Sequence, residues 1–240
     1  MTVRIGTFQL HDIQGDMERS LKVIETCLSE ADDAELSVVC FPECFLQGYT
    51  LDVDETKERA INLNSDTFHV ILRRLAGYKS AFILGMIEQE GDSFYNTAVV
   101  VYGGRLVGRY RKVHLFEPNF TAGTEYPVFS IGDLTFGVNI CYDARFPEGA
   151  VALAKKGAQA IFYPLNNRLS REKAIGYREK HSPHLIDRAS DTGCWVVSSD
   201  VVADDAITLG YGCSVIVNAK GELQVRVPEL TAGMVAVEKL

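Results

Sequence analysis

The chain contains no run of ~18 apolar residues, so no membrane-spanning helix is expected. No C-x-x-C pair occurs among its six cysteines, which leaves a zinc ribbon or a thioredoxin-type redox site without support. Low-complexity segments are absent and glycine and proline are ordinary in number, so nothing points to a fibrous or disordered chain. Positive charge is in deficit: 24 Lys and Arg against 32 Asp and Glu give a net charge of −8 and a pI near 5.2. Such a surface disfavours nucleic acid and anionic membranes as partners. The N-terminus opens on a strand-like pattern, Val3 to Leu10, without a basic stretch and long apolar run, so the expectation is no signal peptide and a cytoplasmic protein.

What is present is a substantial apolar fraction. At 47% hydrophobic residues over 240 positions, a sizeable core can form without a disulfide framework. Most of the cysteines lie in apolar runs, as reduced, buried thiols do. Met17, Leu21, Ile24, Leu28 and Ala31 recur at helical spacing behind Asp16, a suitable cap. Leu36 to Phe41 is an uninterrupted apolar run, the signature of a strand buried on both faces. Ser65 to Ala76 reads as a second helix and Ala81 to Ile87 as a strand. Tyr95–Tyr102 and Arg105–Arg111 form strands around Gly103-Gly104, a hairpin signal. Leu134–Ile140 is a strand, Pro147–Lys156 a short helix, and Gln159–Pro164 a strand. Ser170–Asp191 is helical with an interruption at Pro183, followed by a strand at Cys194–Ser199. A hairpin over Cys213–Asn218 and Glu222–Val227 and a last strand at Met234–Val237 complete the chain. Alternating strands and helices with hairpins predict an α/β protein with mixed sheets. No linker divides it, so a single domain over 1–240 is expected.

Three polar residues stand at the ends of apolar strands: Glu43 after Cys40-Phe41-Pro42, Lys112 after Val107 to Arg111, and Cys141 after Phe136 to Ile140. Ligands of open α/β sheets bind beyond the carboxyl ends of the strands. A carboxylate, an amine and a thiol gathered there make a coherent set. The carboxylate, its pKa raised in a dry pocket, takes the thiol proton. The ammonium then stabilises the thiolate and the oxyanion that forms when sulfur attacks a carbonyl or nitrile carbon. Each residue also has a plain reading, as a core cysteine, a capping glutamate and a solvated lysine.

The local wording separates these readings. Phe41-Pro42-Glu43, continuing to Gly48-Tyr49, resembles the glutamate motif of the nitrilase superfamily of carbon–nitrogen hydrolases. Tyr110-Arg111-Lys112-Val113-His114-Leu115-Phe116 is similar to its lysine motif, and Cys141-Tyr142-Asp143-Ala144-Arg145-Phe146-Pro147-Glu148 to its nucleophile motif. The motifs occur in the family's order, and the likeness extends through Gly212-Cys213-Ser214. This resemblance implies a four-layer αββα sandwich and a triad of Glu43, Lys112 and Cys141. It implies no metal and no organic cofactor. It puts the oxyanion between Lys112 and the backbone N–H of Tyr142, and it implies a homodimer or larger assembly. Many members carry a second glutamate that orients the lysine. Glu117, ahead of Phe120-Thr121-Ala122-Gly123, fits that position better than Glu125, although the family's usual Pro is Ala122 here. His114 is expected to pack or hydrogen-bond near the lysine strand, and Arg145 and Asp143 to support the nucleophile turn. Cys40 and Cys44 are expected as buried thiols.

Specificity in the superfamily comes from loops around the pocket, here Gln47–Leu51, Glu117–Tyr126 and Asn166–His184, with Tyr49, Asn166 and Arg168 as substrate-facing candidates. The basic run through Arg168, Arg171, Lys173, Arg178, Lys180 and His181 is either a solvated face or a holder of a substrate carboxylate, which would indicate an ω-amide or an N-carbamoyl acid. A small amide is the preferred substrate, with a carbamoyl compound or nitrile as alternatives. A papain-like protease is disfavoured by the sequence around Cys141. A non-catalytic binding module that retained the fold is the rival outside enzymes.

Overall fold

The computed structural model describes residues 3–238, so the domain limits expected at 1 and 240 lie outside the described residues. The first half runs β1 (Arg4–His11), α1 (Met17–Asp33), β2 (Val38–Cys40), α2 (Val53–Arg59), α3 (Asp66–Arg74), β3 (Ala81–Glu90), β4 (Ser93–Tyr102) and β5 (Arg105–Arg111). The second half begins β6 (Val128–Ile131), β7 (Leu134–Val138), a 3-10 turn (Cys141–Arg145), α4 (Pro147–Lys155) and β8 (Ala160–Pro164). It continues with β9 (Leu169–Ser170), α5 (Arg171–Tyr177), α6 (His181–Thr192), β10 (Trp195–Asp204), β11 (Thr208–Tyr211), β12 (Val215–Val217), β13 (Leu223–Arg226) and β14 (Gly233–Glu238).

Local chemistry starts and stops these elements. The Asp16 carboxylate accepts from Arg19 N at 2.9 Å to cap α1, and the Ser65 hydroxyl accepts from Phe68 N at 3.2 Å to cap α3. Gly103 and Gly104 both adopt positive φ, at 56° and 69°, as the tight turn between β4 and β5 requires.

The strands run β5-β4-β3-β2-β1-β10-β8-β7-β6, with β1, β2 and β3 parallel to one another and β7, β8 and β10 likewise. Successive side chains of a strand face opposite sides, and here each side has its own core. Phe82, Leu84, Val99 and Val101 pack with Ile24 and Leu28 of α1 and Phe68 and Ile71 of α3. Ile83, Ala98 and Val100 turn the other way, onto Phe136, Val138 and Phe162 of the second sheet. The far side of that sheet, with Ile161, Val196 and Val215, packs on Leu153 of α4 and Leu185 and Ala189 of α6. The order is therefore helices, sheet, sheet, helices, as the αββα expectation has it. Strand β10 ties the two sheets: Trp195–Ser199 pair with β8, and Asp200–Val202 pair with β1.

The structure departs from the sequence reading in three places. The long C-terminal helix is two helices, and the break falls at 178–180, ahead of Pro183, which sits in the first turn of α6 where a missing N–H costs nothing. Helix α2 and strands β6, β9 and β11 are elements that the sequence pattern does not announce. The strand expected at Leu36–Phe41 is confined to Val38–Cys40. No helix among the described residues is long and apolar enough to cross a membrane.

Candidate active site

Glu43 sits on the turn that follows β2, and its position is set by a close approach of backbones. A side chain at Gly85 of β3 would meet Pro42 O at 2.3 Å and Cys44 N at 2.5 Å, so only glycine lets this turn rest on the sheet. The next residue, Cys44, has φ of 49°, a left-handed conformation unusual for a side-chain-bearing residue. Glu43 N donates to Leu165 O at 3.1 Å, which ties the turn to the end of β8. Lys112 extends β5: its N donates to Asn96 O at 2.9 Å and its O accepts from Gly123 N at 2.8 Å. Gly123 is needed there, because an added Cβ would lie 2.2 Å from Arg111 O. Cys141 opens the 3-10 turn after β7 with φ of 43°, a strained position of the kind that clusters at functional sites.

These elements bring the expected carboxylates and amine into one buried network. Lys112 Nζ donates to Glu43 Oε1 at 2.7 Å and to Glu117 Oε1 at 2.8 Å. Asn96 Nδ2 donates to the same two oxygens at 2.8 and 3.1 Å. Glu117 Oε2 accepts from Phe116 N at 3.0 Å, and Glu117 also accepts from the Tyr49 hydroxyl. Glu43 Oε2 is buried and receives no donor among the described residues. Glu125, the alternative second glutamate, is exposed and away from the network.

The environments push the two carboxylates apart. Burial raises Glu43 to about 7, against the opposing pull of Lys112. Glu117 is also buried, but the Lys112 charge and its hydrogen bonds hold it below the ordinary carboxylate range. Burial disfavours the Lys112 ammonium, yet Glu43, Cys141 and Glu117 together keep it firmly charged. Burial and the Glu43 charge hold the Cys141 thiol well above its usual pKa; Lys112 and a bond from the Asn166 backbone N–H act in the other direction. The set is thus a thiol with its pKa raised and, near it, a buried carboxylate raised to about 7.

Asp143 clamps the turn that starts at Cys141 to the end of β5 and the residues after it. Its Oδ2 accepts from Tyr110 OH at 2.8 Å and Ile140 N at 2.9 Å, and its Oδ1 from His114 N at 2.8 Å. The His114 ring lies 3.0 Å from Asp143 Oδ1 and 2.9 Å from Glu148 Oε1, and stacks on Phe146 at 4.0 Å. The histidine is a structural fastener. Arg145 differs from expectation: it is exposed, with its guanidinium over the Tyr142 ring at 5.4 Å, and makes no ion pair among the described residues. The support expected of it comes from Arg188, which donates to Ala144 O at 2.8 Å.

A cavity of about 320 Å³ opens over Cys141 and Lys112. Tyr49, Tyr142, Asn166 and Arg168 all border it. The Asn166 side chain accepts from Arg168 N at 3.2 Å, so its amide is held back in the wall. Arg168 pairs with Asp12 at 3.2 Å and donates to Thr208 Oγ1 at 2.9 Å, so its charge is already answered by protein groups. Asn96 was not read from the sequence. The available signal was a polar residue at a fully buried position of β4, which has meaning only once Glu43 is known to face it. Among the described residues no group of three or more His, Cys, Asp or Glu is placed to hold a metal ion.

Comparison with known proteins agrees with this architecture. The carbon–nitrogen hydrolase family model matches residues 4–238. A nitrilase of Pyrococcus abyssi is 30% identical over 227 residues, 92% of this chain and 83% of that protein. The omega-amidase NIT3 of Saccharomyces cerevisiae is 33% identical over 171 residues, 64% of this chain and 58% of its own length. An amidase of the nitrilase superfamily from Nesterenkonia AN1 superposes with a TM-score of 0.83 at 22% identity, over 98% of this chain and 90% of that one, a likeness of fold. With the family model spanning all but a few terminal residues, the chain belongs to the carbon–nitrogen hydrolase family.

Proposed function

We propose that the protein hydrolyses a small amide at a non-peptide C–N bond, through a thioester on Cys141, with Glu43 as the shared base and Lys112 as the oxyanion partner. The observation that carries this reading is the buried Glu43 carboxylate with one saturated and one donor-free oxygen, raised to about 7. A general base works best with its pKa near the operating pH.

In the proposed cycle, Oε2 of Glu43 takes the Cys141 proton as sulfur bonds to the amide carbon. The negative charge moves to the carbonyl oxygen. Two of the three Lys112 N–H donors are held by Glu43 and Glu117, which leaves the third for that oxygen alongside the Tyr142 N–H. Collapse breaks the C–N bond, and the proton on Glu43 leaves with the amine or ammonia. Water then enters, gives a proton to Glu43 and attacks the thioester carbon. Expulsion of the thiolate, which takes that proton back, frees the acid and restores the thiol. Glu117, held ionised, orients Lys112 throughout and takes no proton. The sharing of β10 between both sheets supports the single-domain reading.

The test is ammonia release from a panel of small amides, ω-amides, N-carbamoyl amino acids and nitriles. A hit that drops to the blank in Cys141→Ala establishes the reaction. Undiminished turnover by that variant refutes the mechanism.

A further inference from the structure

The cavity wall carries a one-sided charge in a protein whose net charge is −8. Lys112, Arg145, Arg168, Lys173 and Lys180 all border it, and no Asp or Glu does. Nearby cations that do not line the cavity are matched: Arg171 with Asp204, Arg178 with Glu229, and Arg188 with Asp191. Within the cavity, Lys112 is answered by Glu43 and Glu117, and Arg168 by Asp12. That leaves Arg145, Lys173 and Lys180, none of which has an ion-pair partner among the described residues. Lys180 Nζ is steered by the Tyr177 ring, 4.7 Å away, and Arg145 by the Tyr142 ring. Burial, and next the Arg145 charge, hold His184, another wall residue, below its usual pKa.

We infer that the cavity takes an amide bearing a carboxylate, recognised by Lys173, Lys180 and Arg145. The inference rests on the amidase reading above and names its substrate class. Leucines 51, 165, 169 and 185 supply apolar wall, which suits a short methylene spacer between the amide and the charge. Steering by an unmatched positive rim would also favour encounter with an anion over a neutral amide. The segment that carries two of the three cations is helix α5 and the turn after it, so the charge reader lies outside the motifs that hold the reacting groups.

The test compares the monoamide of glutaric acid with pentanamide, a neutral amide of similar length. The anionic amide is expected to have at least a tenfold higher kcat/KM. Lys173→Ala/Lys180→Ala, at two exposed positions, should cut that preference about tenfold through KM, and Lys173→Arg/Lys180→Arg should restore most of it. Equal kcat/KM for the two amides, or a preference unmoved by the alanine pair, overturns the inference and leaves the amidase reading intact. Glutarate titrated into Cys141→Ala by calorimetry reads the same cations without turnover. Lysine-dependent glutarate binding in a protein that hydrolyses no amide sinks the amidase reading and keeps the anion site. Glutarate binding no tighter than that of 1,5-pentanediol sinks the anion site.

Discussion

Two glutamates on neighbouring parts of one sheet are each 1% exposed, and they have opposite fates. Glu88 on β3 is saturated. Its oxygens accept from Thr97 Oγ1 at 2.7 Å, Arg109 NH1 at 2.7 Å, and Arg111 Nε and NH2 at 3.0 and 2.6 Å. Glu43 receives both its donors on one oxygen and none on the other. The two clusters are built from consecutive residues of the same strands. On β4, Thr97 serves Glu88 and Asn96 serves Glu43; at the end of β5, Arg111 serves Glu88 and Lys112 serves Glu43. The alternation of a strand thus separates a closed ion-pair cluster from an open one by a single residue. Burial is common to both carboxylates; what separates them is that Glu88 is fully partnered while one oxygen of Glu43 has no donor among the described residues.

The sharpest way to break this comparison is to remove the charge from each member. Glu43→Gln should reduce turnover by about 10³-fold or more, since in the proposed cycle this one base serves both half-reactions. A stopped-flow burst should show that acylation is lost along with deacylation, and a normal burst would refute the shared role. Glu88→Gln should leave turnover within a few-fold of wild type. It should instead lower stability by about 2 kcal/mol, because two arginines lose part of a buried partner, which thermal unfolding would read as a drop of roughly 4–8 °C. If both variants lost activity alike while folded, the distinction between closed and open cluster would have no functional meaning.

The pH profile tests the same oxygen without mutation. In the proposed cycle Glu43 must be ionised to accept the thiol proton, and burial raises it to about 7, so kcat/KM should be flat above that pH. Below it the protonated fraction grows, and the rate should fall about tenfold per pH unit. A profile whose acid limb lay near 4.5, the ordinary carboxylate value, would mean that the pocket does not raise the base.

The sequence made the chemistry legible at the strand ends, because a turn after an apolar run is where a polar side chain can be both held and exposed to a ligand. Glu43, Lys112 and Cys141 stand out in that way, and Glu117 through the resemblance to a family whose members carry a second glutamate ahead of such a Gly. What stayed hidden depends on contacts between segments far apart in the chain. Arg168 looked free to hold a substrate until the fold set Asp12 against it, a partner from the loop after β1. Arg145 looked like a strut for the nucleophile turn, a task that falls to Arg188 on α6. Helical periodicity exposed α1 and α3, whose long apolar faces cover a sheet, but not α2, a helix of 7 residues in which only Thr56 is buried.

Asn96 gives the finest probe of the comparison, since it is the residue of β4 that faces the open cluster. Its amide donates to the oxygen of Glu43 that also holds Lys112, and its Oδ1 accepts from the Cys44 thiol at 3.4 Å. A donor to the charged form of a carboxylate lowers its pKa. Asn96→Ala removes that donor, so Glu43 should bind its proton more tightly and the acid limb should move to higher pH. Below pH 7, kcat/KM should fall about tenfold, and above pH 8 by a smaller factor, as expected for a shift of roughly one unit. A uniform loss at every pH would mean that Asn96 only packs against the site. A displaced limb with an unchanged plateau would make it a positioning residue, one that tunes the base through the oxygen opposite to the one that accepts the proton.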